Sequence, residues 1–274
     1  MTSVVAWRAR EIFSFEGGPS SVQLGDVWIA ADSRVTGAGP TAEPRVLTDA
    51  AAKILPVPVR MFEGYEHGPG YHSIYEGQLG FAYAGSTFSA TMTQTLVASC
   101  LSTLCGEYGA ALPSLEDLVG FICRVGTRYT LDVESIFEAC VVGAQPDRRG
   151  QTDTQCFHLT YSAEHRTMIK TEVNLEPAGT FLLLGSRKAE ISRMIEAGFE
   201  TSIEYGPTRA LMDIIAQEGV ADIGGGLQIG RASRGGFRLF PTWGYNRGAP
   251  NLRSMLNQGG AGLFEIGDFR VGDP

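Results

Sequence analysis

The second residue of this 274-residue chain is a threonine, a position where a hydroxyl could act as a nucleophile. A threonine hydroxyl is a weak nucleophile at neutral pH and needs a base within hydrogen-bond reach. If Met1 is removed, as the small side chain of Thr2 normally permits, the α-amino group of Thr2 can be that base. A free α-amine has a pKa of roughly 8, so a small downward shift gives the neutral amine that general-base catalysis needs.

Four short segments, the first of which contains Thr2, support this interpretation together and occur in a fixed order. They are Met1-Thr-Ser-Val-Val5, Trp28-Ile-Ala-Ala-Asp-Ser-Arg-Val-Thr36, Ala51-Ala-Lys-Ile54 and Gly80-Phe-Ala-Tyr-Ala-Gly-Ser86. Their order and character resemble the amino-terminal half of proteasome β-subunits and of the HslV peptidase. The resemblance covers residues 2 to 105 by motif and continues to about residue 241 in the order of elements.

The resemblance implies a catalytic role for four residues. Thr2 would attack an amide carbonyl, and the ammonium of Lys53 would lower the pKa of the Thr2 amine because like charges disfavour each other. Asp32 is expected to hold Lys53 in its charged form and to orient it as a buried pair. Gly85 has no Cβ, so its backbone N–H could approach the reacting carbonyl as an oxyanion donor.

Weaker signals add three residues to the predicted site. Leu184-Gly-Ser-Arg187 resembles the family's Gly-Ser step, which makes Ser186 a proton-network residue; taken alone, Ser186 is an N-cap for the helix that follows. Tyr83 falls where the family shapes its first specificity pocket and predicts an aromatic-lined pocket. We expect Tyr83 and Thr36 to contact the substrate.

The sequence also departs from the family pattern. In Ala221-Asp-Ile-Gly-Gly-Gly-Leu227, Gly224 stands where proteasomes carry a serine, and Asp222 is one position from the expected aspartate. This part of the chain is more similar to the bacterial proteasome-like proteins of the Anbu type and their β-proteobacterial relatives. The stretches between Thr2 and Asp32 and between Lys53 and Gly85 are longer than in proteasomes, and their excess falls in Gly/Pro-rich loops.

The order of elements predicts an α+β chain, because strands, two helices, strands, two helices and strands follow one another. Strands are predicted at 3–8, 26–31, 53–59, 79–83, 137–144, 154–161, 167–173, 180–184, 225–231 and 236–241, and helices at 87–107, 114–129, 187–197 and 207–217. Residues 36–48 and 64–71 are predicted loops. This order suits the four-layer αββα sandwich of the N-terminal-nucleophile (Ntn) hydrolase fold, as a single domain over 2–241 with an irregular extension over 242–274.

Composition excludes several other functions. The net charge is −8 without a basic block, which argues against nucleic acid and anionic membrane surfaces. There is neither a membrane-length apolar run nor an apolar signal-peptide core, so a cytoplasmic location is the default expectation. The five cysteines form no C-x-x-C pair and are expected to be free buried thiols, the histidines lack zinc spacing, and no phosphate loop occurs. We therefore expect no metal and no cofactor.

The resemblance implies a threonine peptidase that acts on unfolded polypeptide or peptides inside a homo-oligomeric ring, with an ATP-dependent unfoldase as a possible partner. Two alternatives stay open. One is an inactive proteasome-fold subunit with a role in assembly, which the glycine at 224 favours. The other is an Ntn amidohydrolase acting on small amides.

Overall fold

The computed structural model describes residues 2–13, 21–38, 44–147, 153–199, 206–217 and 221–240, together with two two-residue strands near the carboxyl end. The strands are β1 (Ser3–Phe13), β2 (Ser21–Asp32), β3 (Val35–Ala38), β4 (Pro44–Thr48), β5 (Ile54–Gly64), β6 (Tyr71–Gly85), β7 (Leu104–Gly106), β8 (Phe137–Ala144), β9 (Thr154–Ser162), β10 (Thr167–Glu172), β11 (Phe181–Gly185), β12 (Leu227–Ser233), β13 (Gly236–Phe240), β14 (Glu265–Ile266) and β15 (Phe269–Arg270). The helices are α1 (Thr87–Leu101), α2 (Leu115–Val133), α3 (Lys188–Phe199) and α4 (Gly206–Ile215).

Two large sheets form the centre of the molecule. Sheet I has five strands in the order β11-β1-β2-β12-β13, and sheet II has six in the order β10-β9-β8-β6-β5-β7. Neighbouring strands are antiparallel except β7, which runs parallel to β5. The strands β1 and β2 pair from Val4 opposite Ala31 to Phe13 opposite Ser21, which places the start of β1 beside the end of β2.

Three separate apolar cores show how the layers stack. The first lies between sheet II and the helices α1 and α2, and includes Phe81, Val97 and Ile122. The second lies between the two sheets and includes Ile29 and Cys140. The third lies between sheet I and the helices α3 and α4. Each sheet thus buries both faces, which confirms the predicted α+β fold with an αββα sandwich.

The ends of α1 and α2 follow local sequence signals. Ser86 caps α1 by accepting a hydrogen bond from the Ser89 amide, and Ser114 forms a reciprocal capping box with Asp117 at the start of α2. The predicted start at Ser114 is confirmed. The predicted end of α1 at residue 107 is wrong, because Leu104–Gly106 leaves the helix and pairs with β5 as β7.

Two predicted loops contain strand pairing. Within residues 36–48, β3 pairs with β4 in an antiparallel hairpin despite the Gly- and Pro-rich sequence. The pairing of β5 with β6 continues to Gly64 opposite Tyr71, so the loop between them is shorter than predicted. The predicted irregular extension over 242–274 lies outside the described residues, apart from β14 and β15.

The five cysteines are free, as predicted. Cys123, Cys140 and Cys156 are buried, but Cys100 is half-buried and Cys105 is exposed, so burial is wrong for these two. Among the helices that the structure describes, none combines the length and the apolar character that crossing a membrane requires.

Candidate active site

The predicted catalytic residues lie at strand ends in both sheets. Thr2 precedes β1 and Asp32 ends β2 in sheet I, while Lys53 precedes β5 and Gly85 ends β6 in sheet II. Thr2, Asp32 and Lys53 are 1%, 0% and 1% exposed. A lysine and an aspartate this deeply buried are rare in proteins, which sets this edge of the sandwich apart from an ordinary surface.

The carboxylate of Asp32 is held by backbone amides. Its Oδ1 accepts a hydrogen bond from the Ser3 N–H at 2.9 Å, and its Oδ2 accepts from the N–H groups of Gly224 at 3.1 Å and Arg34 at 3.2 Å. Burial raises the pKa of Asp32 to about 6, although these three hydrogen bonds and the charge of Lys53 act to lower it. Asp32 thereby connects three parts of the chain: the start of β1 at Ser3, the residues after β2 at Arg34, and the segment before β12 at Gly224.

The ammonium of Lys53 does not touch Asp32. Its Nζ lies 3.4 Å from Oγ1 of Thr87 and 5.0 Å from the centroid of the Tyr83 ring. Burial lowers the pKa of Lys53, and the charge of Asp32 opposes that shift. The expected direct pair is therefore corrected: Asp32 acts on Lys53 through its electric field, and an aromatic ring and a hydroxyl hold the ammonium in place.

Tyr83 does not line an open pocket, which corrects the expectation from its position. It is 0% exposed and belongs to the core between sheet II and its helices. Its hydroxyl donates a hydrogen bond to the Ala52 carbonyl at 3.0 Å, and burial raises its pKa to about 12. The side chain faces Lys53, so its role in the site is to support the ammonium.

The turn that follows β11 contacts Thr2 closely and forms a hydrogen bond with its backbone. The Ser186 N–H donates to the Thr2 carbonyl at 3.0 Å, and the Ser3 hydroxyl donates to the Ser186 carbonyl at 2.9 Å. A Cβ at Gly185, where φ is +86°, would lie 1.6 Å from the Thr2 carbonyl oxygen, so only glycine permits this approach. The Thr2 hydroxyl itself lies 3.4 Å from the Arg34 carbonyl and donates towards it.

The Ser186 side chain does not cap the helix that follows, and its place in a proton network stays a prediction. Its Oγ is buried and has no hydrogen-bond partner among the described residues. The helix α3 begins at Lys188, and this hydroxyl does not cap it. Ser186 is thus beside Thr2, as the resemblance implies, and its backbone amide donates to the Thr2 carbonyl.

Gly85 presents its backbone to solvent at the end of β6. It is exposed, its φ is +100°, and a Cβ there would lie 2.8 Å from the Ile136 carbonyl oxygen. Only a glycine accommodates both restraints without strain. Its accessible backbone is compatible with an oxyanion donor, and that role stays a prediction.

The arginine of the Asp-x-Arg-x-Thr segment fills the space beside Gly224. Arg34 donates to both carboxylate oxygens of Asp49, at 2.6 and 3.2 Å, and to the Ile223 carbonyl at 3.3 Å. Hydrogen bonding to Asp49 raises the pKa of Arg34. Asp222 instead contacts Arg187, with Nε and Oδ1 3.3 Å apart. Where proteasomes carry an aspartate and a serine, this chain thus has two arginine–carboxylate pairs, Arg34 with Asp49 and Arg187 with Asp222.

Thr36 lies in β3, opposite Val46 and two residues beyond Arg34. It is half-buried. Its contact with substrate stays a prediction.

Two polar residues that the sequence did not single out connect the sheets at this edge. Gln228 of sheet I accepts hydrogen bonds from the amides of Lys53 at 2.9 Å and Ile54 at 3.3 Å, and donates to the Ala51 carbonyl at 2.7 Å. Glu138 of sheet II accepts from the Gly185 amide of sheet I at 2.6 Å. Neither belongs to a short motif, so only the folded chain reveals them.

A metal centre is not part of this arrangement. Within the part of the chain that the structure describes, there is no group of three or more His, Cys, Asp or Glu side chains placed to hold a metal ion.

Comparisons with known proteins add the fold family. No protein-family model and no curated protein matches the chain. Among solved structures, the Anbu (Gly-1) mutant from Hyphomicrobium sp. strain MC1 matches with a TM-score of 0.53 at 14% identity, over 97% of this chain and 100% of that one. Anbu (ancestral beta-subunit) from Yersinia bercovieri matches with a TM-score of 0.51 at 12% identity, over 98% and 100% of the two chains. The chain therefore has the proteasome-like Ntn-hydrolase fold that these Anbu proteins share.

Proposed function

We propose that this chain is a threonine peptidase in which Thr2, as the first residue of the processed chain, attacks the carbonyl carbon of a peptide bond. One observation carries the proposal: Asp32, which accepts from the amide of Ser3 next to Thr2, and Lys53 are both fully buried and act on each other's pKa without forming an ion pair. Burying two charged groups without pairing them directly costs stability, and acid–base groups with shifted pKa values gathered at one point are typical of catalytic sites.

The proposed chemistry is acyl transfer. The Thr2 amine removes the proton from the Thr2 hydroxyl as Oγ attacks the carbonyl carbon, and the Gly85 N–H stabilises the resulting oxyanion. The amine then gives the proton to the leaving nitrogen, and the C–N bond breaks to leave an ester on Thr2. Water hydrolyses that ester with the amine again as the base. The Lys53 ammonium keeps the amine neutral near pH 7.

We further propose the setting of this reaction. The substrates are unfolded polypeptide segments or peptides, which an active site built from exposed backbone at a strand end can accept as an added strand. The chain works as a homo-oligomeric ring in the cytoplasm, with the sites facing inward and an ATP-dependent unfoldase as partner. Gel filtration and native mass measurement test the ring, and a monomer would favour the small-amide amidohydrolase.

A covalent probe tests the chemistry. The purified protein is treated with a peptide that carries a threonine-directed electrophile, and its intact mass is measured before and after. We expect a mature chain that begins at Thr2 and gains one adduct. Thr2→Ala and a form that retains Met1 should gain none, whereas Thr95→Ala, on the exposed face of α1, should react like the parent protein. A Met1-retaining form that reacts normally would refute the mechanism.

A second candidate function is that of an inactive subunit with a role in assembly. The observation that favours it is the replacement of the family's Ser by Gly224, next to the Arg34 guanidinium. The same probe separates the two proposals, because an inert scaffold would gain no adduct even when its mature chain begins at Thr2.

A further inference from the structure

Glu138 joins the two sheets beside the predicted site. It lies in β8 of sheet II, opposite Ala84 and thus one pair away from Gly85. Its Oε1 accepts a 2.6 Å hydrogen bond from the Gly185 amide in sheet I. Its Oε2 lies 3.0 Å from Nζ of Lys188 and 3.2 Å from Nε2 of His158. Its side chain is 22% exposed, so this contact between the sheets is partly protected from water.

The turn that Glu138 holds is conformationally demanding. Gly185 and Arg187 both have positive φ, +86° and +54°, and an arginine rarely adopts this conformation. Such a turn persists only when surrounding contacts hold it in place. The ion pairs of Arg187 with Asp222 and Glu190 hold one side of the turn. Glu138 holds the other side through the Gly185 amide.

The 185–187 turn also fixes the position of the Thr2 backbone. The Ser186 amide binds the Thr2 carbonyl, and the Ser186 carbonyl binds the Ser3 hydroxyl. A displacement of Gly185 would therefore move the residue that carries the nucleophile. Burial acts to raise the pKa of Glu138, but the hydrogen bonds from His158, Gly185 and Lys188 outweigh it and lower that pKa to about 2. The carboxylate is thus ionised throughout the neutral range, and its bond to Gly185 is charge-assisted.

We propose that Glu138 is a positioning residue, which fixes the 185–187 turn and through it the place of Thr2 relative to Gly85. This inference rests on the proposed threonine-peptidase function. Glu138 contacts neither the substrate nor the reacting atoms. Its removal should therefore slow the chemical step and leave substrate binding unchanged.

The test compares Glu138→Leu with the shape-matched Glu138→Gln. Glutamine keeps an oxygen for the Gly185 amide but loses the charge, whereas leucine loses both. Glu116→Leu is the matched control, because Glu116 also pairs with a lysine, Lys170, but far along α2 from the turn. Two quantities are measured: the concentration dependence of labelling by the threonine-directed electrophile, and hydrogen exchange at the amides of Gly185 and Ser186.

For Glu138→Leu we expect the maximal labelling rate to fall about 10- to 100-fold with an unchanged half-saturation concentration, since a small misplacement of a nucleophile has effects of this size. Glu138→Gln should lose about fivefold, the difference between a charged and a neutral hydrogen bond. Exchange at residues 185 and 186 should accelerate in the same order. Glu116→Leu should match the parent protein in both measurements.

Different results overturn different claims. Labelling of Glu138→Leu at the parent rate, or exchange that does not change, would overturn the positioning role. If Glu138→Leu does not fold, the glutamine variant decides by the same two measurements. A parent protein that begins at Thr2 and takes no label would overturn the proposed function. Exchange at Gly185 would still show whether Glu138 holds the turn.

Discussion

A Cβ atom on residue 224 would lie 2.3 Å from Cζ of Arg34. Arg34 cannot easily move away, since its guanidinium forms an ion pair with Asp49 and donates to the Ile223 carbonyl. Gly224 is therefore more than a missing serine: the room that a serine needs is already occupied by a neighbouring side chain. The two positions should be treated as one unit in any substitution.

The first prediction is that Gly224→Ser, which introduces the residue that proteasomes carry at the corresponding place, destabilises the protein. Overpacking against Arg34 should lower the free energy of unfolding by about 1–3 kcal/mol. In the double variant Arg34→Ala/Gly224→Ser the clash is absent, so its loss should be smaller than the sum of the two single losses. Urea denaturation of the four proteins measures this coupling.

A neighbouring glycine provides the control. At Gly226 the only atom that a Cβ would meet within 4 Å is Oγ of Ser33, at 3.7 Å. Gly226→Ala should therefore leave the free energy of unfolding within about 0.5 kcal/mol of the parent value or raise it slightly. Strict additivity in the double variant would show that Arg34 does not occupy the space beside residue 224.

The second prediction separates activity from stability at Lys53. Lys53→Met keeps the shape of the side chain but removes the buried charge. Peptide-amide hydrolysis near pH 7 should fall by about 10- to 100-fold, because the Thr2 amine would lose the neighbouring charge that lowers its pKa and keeps it neutral. The melting temperature should not fall, because methionine has no charge to desolvate. Lys170→Met, which removes a lysine far from the site, is the matched control and should retain activity. A Lys53→Met protein with near-parental hydrolysis would contradict the proposed role.

The third prediction concerns the aromatic ring beneath the Lys53 ammonium. Tyr83→Phe keeps the ring, whereas Tyr83→Leu removes it together with a cation–π attraction worth up to about 2 kcal/mol at a desolvated site. Since that attraction favours the charged amine, its loss should lower the pKa of Lys53 further. The alkaline limb of the kcat profile should then start at lower pH in Tyr83→Leu than in Tyr83→Phe. Superimposable profiles would show that the ring has only a packing role.

The fourth prediction follows from the pKa of Asp32, which is raised from 3.8 to about 6 in the folded protein. Between these values the folded state binds more protons than the unfolded state, so this group's contribution to stability falls as pH rises through the window and is constant above it. The stability of the parent protein relative to Asp32→Asn should therefore fall by about 2 kcal/mol at most from pH ~4.5 to pH ~6.

Urea denaturation of both proteins across this range provides the measurement. The pKa of Glu138 is lowered to about 2, so its contribution to stability is gained as pH rises towards this window. Glu138 is present in both proteins. It therefore cancels in the comparison. A difference between the two proteins that stays constant from pH ~4.5 to pH ~6 would mean that Asp32 is not the group that titrates there.

Much of this architecture could be predicted because it depends on local patterns. Strand β8 at Phe137–Ala144 has the predicted bounds, and the cap at Ser114 is in place. The hairpin of β3 and β4 was not predictable, since its Gly and Pro residues have low strand propensity and only their pairing makes them strands. Strand β7 is similar, because three residues are too few for a periodic signal.

The places of the predicted site residues in the fold could be predicted from the sequence, but their hydrogen-bond and ring contacts mostly could not. The strand ends that carry Thr2, Asp32, Lys53 and Gly85 lie at one edge of the sandwich, as the resemblance of the four sequence segments implied. The sequence does not predict which side chains contact each other at that edge. The ring that supports Lys53 is thirty positions away in the chain, at Tyr83, and no local pattern connects the two. Contacts between residues so far apart in the chain are determined only when the strands and sheets pack.

The core between the sheets has a consequence for how this protein tolerates change. Thr2 precedes a strand of one sheet and Gly85 ends a strand of the other, so the distance between the proposed nucleophile and the proposed oxyanion donor is set by how the two sheets pack on each other. Small apolar residues such as Ala31, Ala82 and Ala84 fill that core. An enlarged side chain there would push the sheets apart and separate the reacting groups without altering any of them. Damage to activity would then arise from residues that no chemical argument identifies.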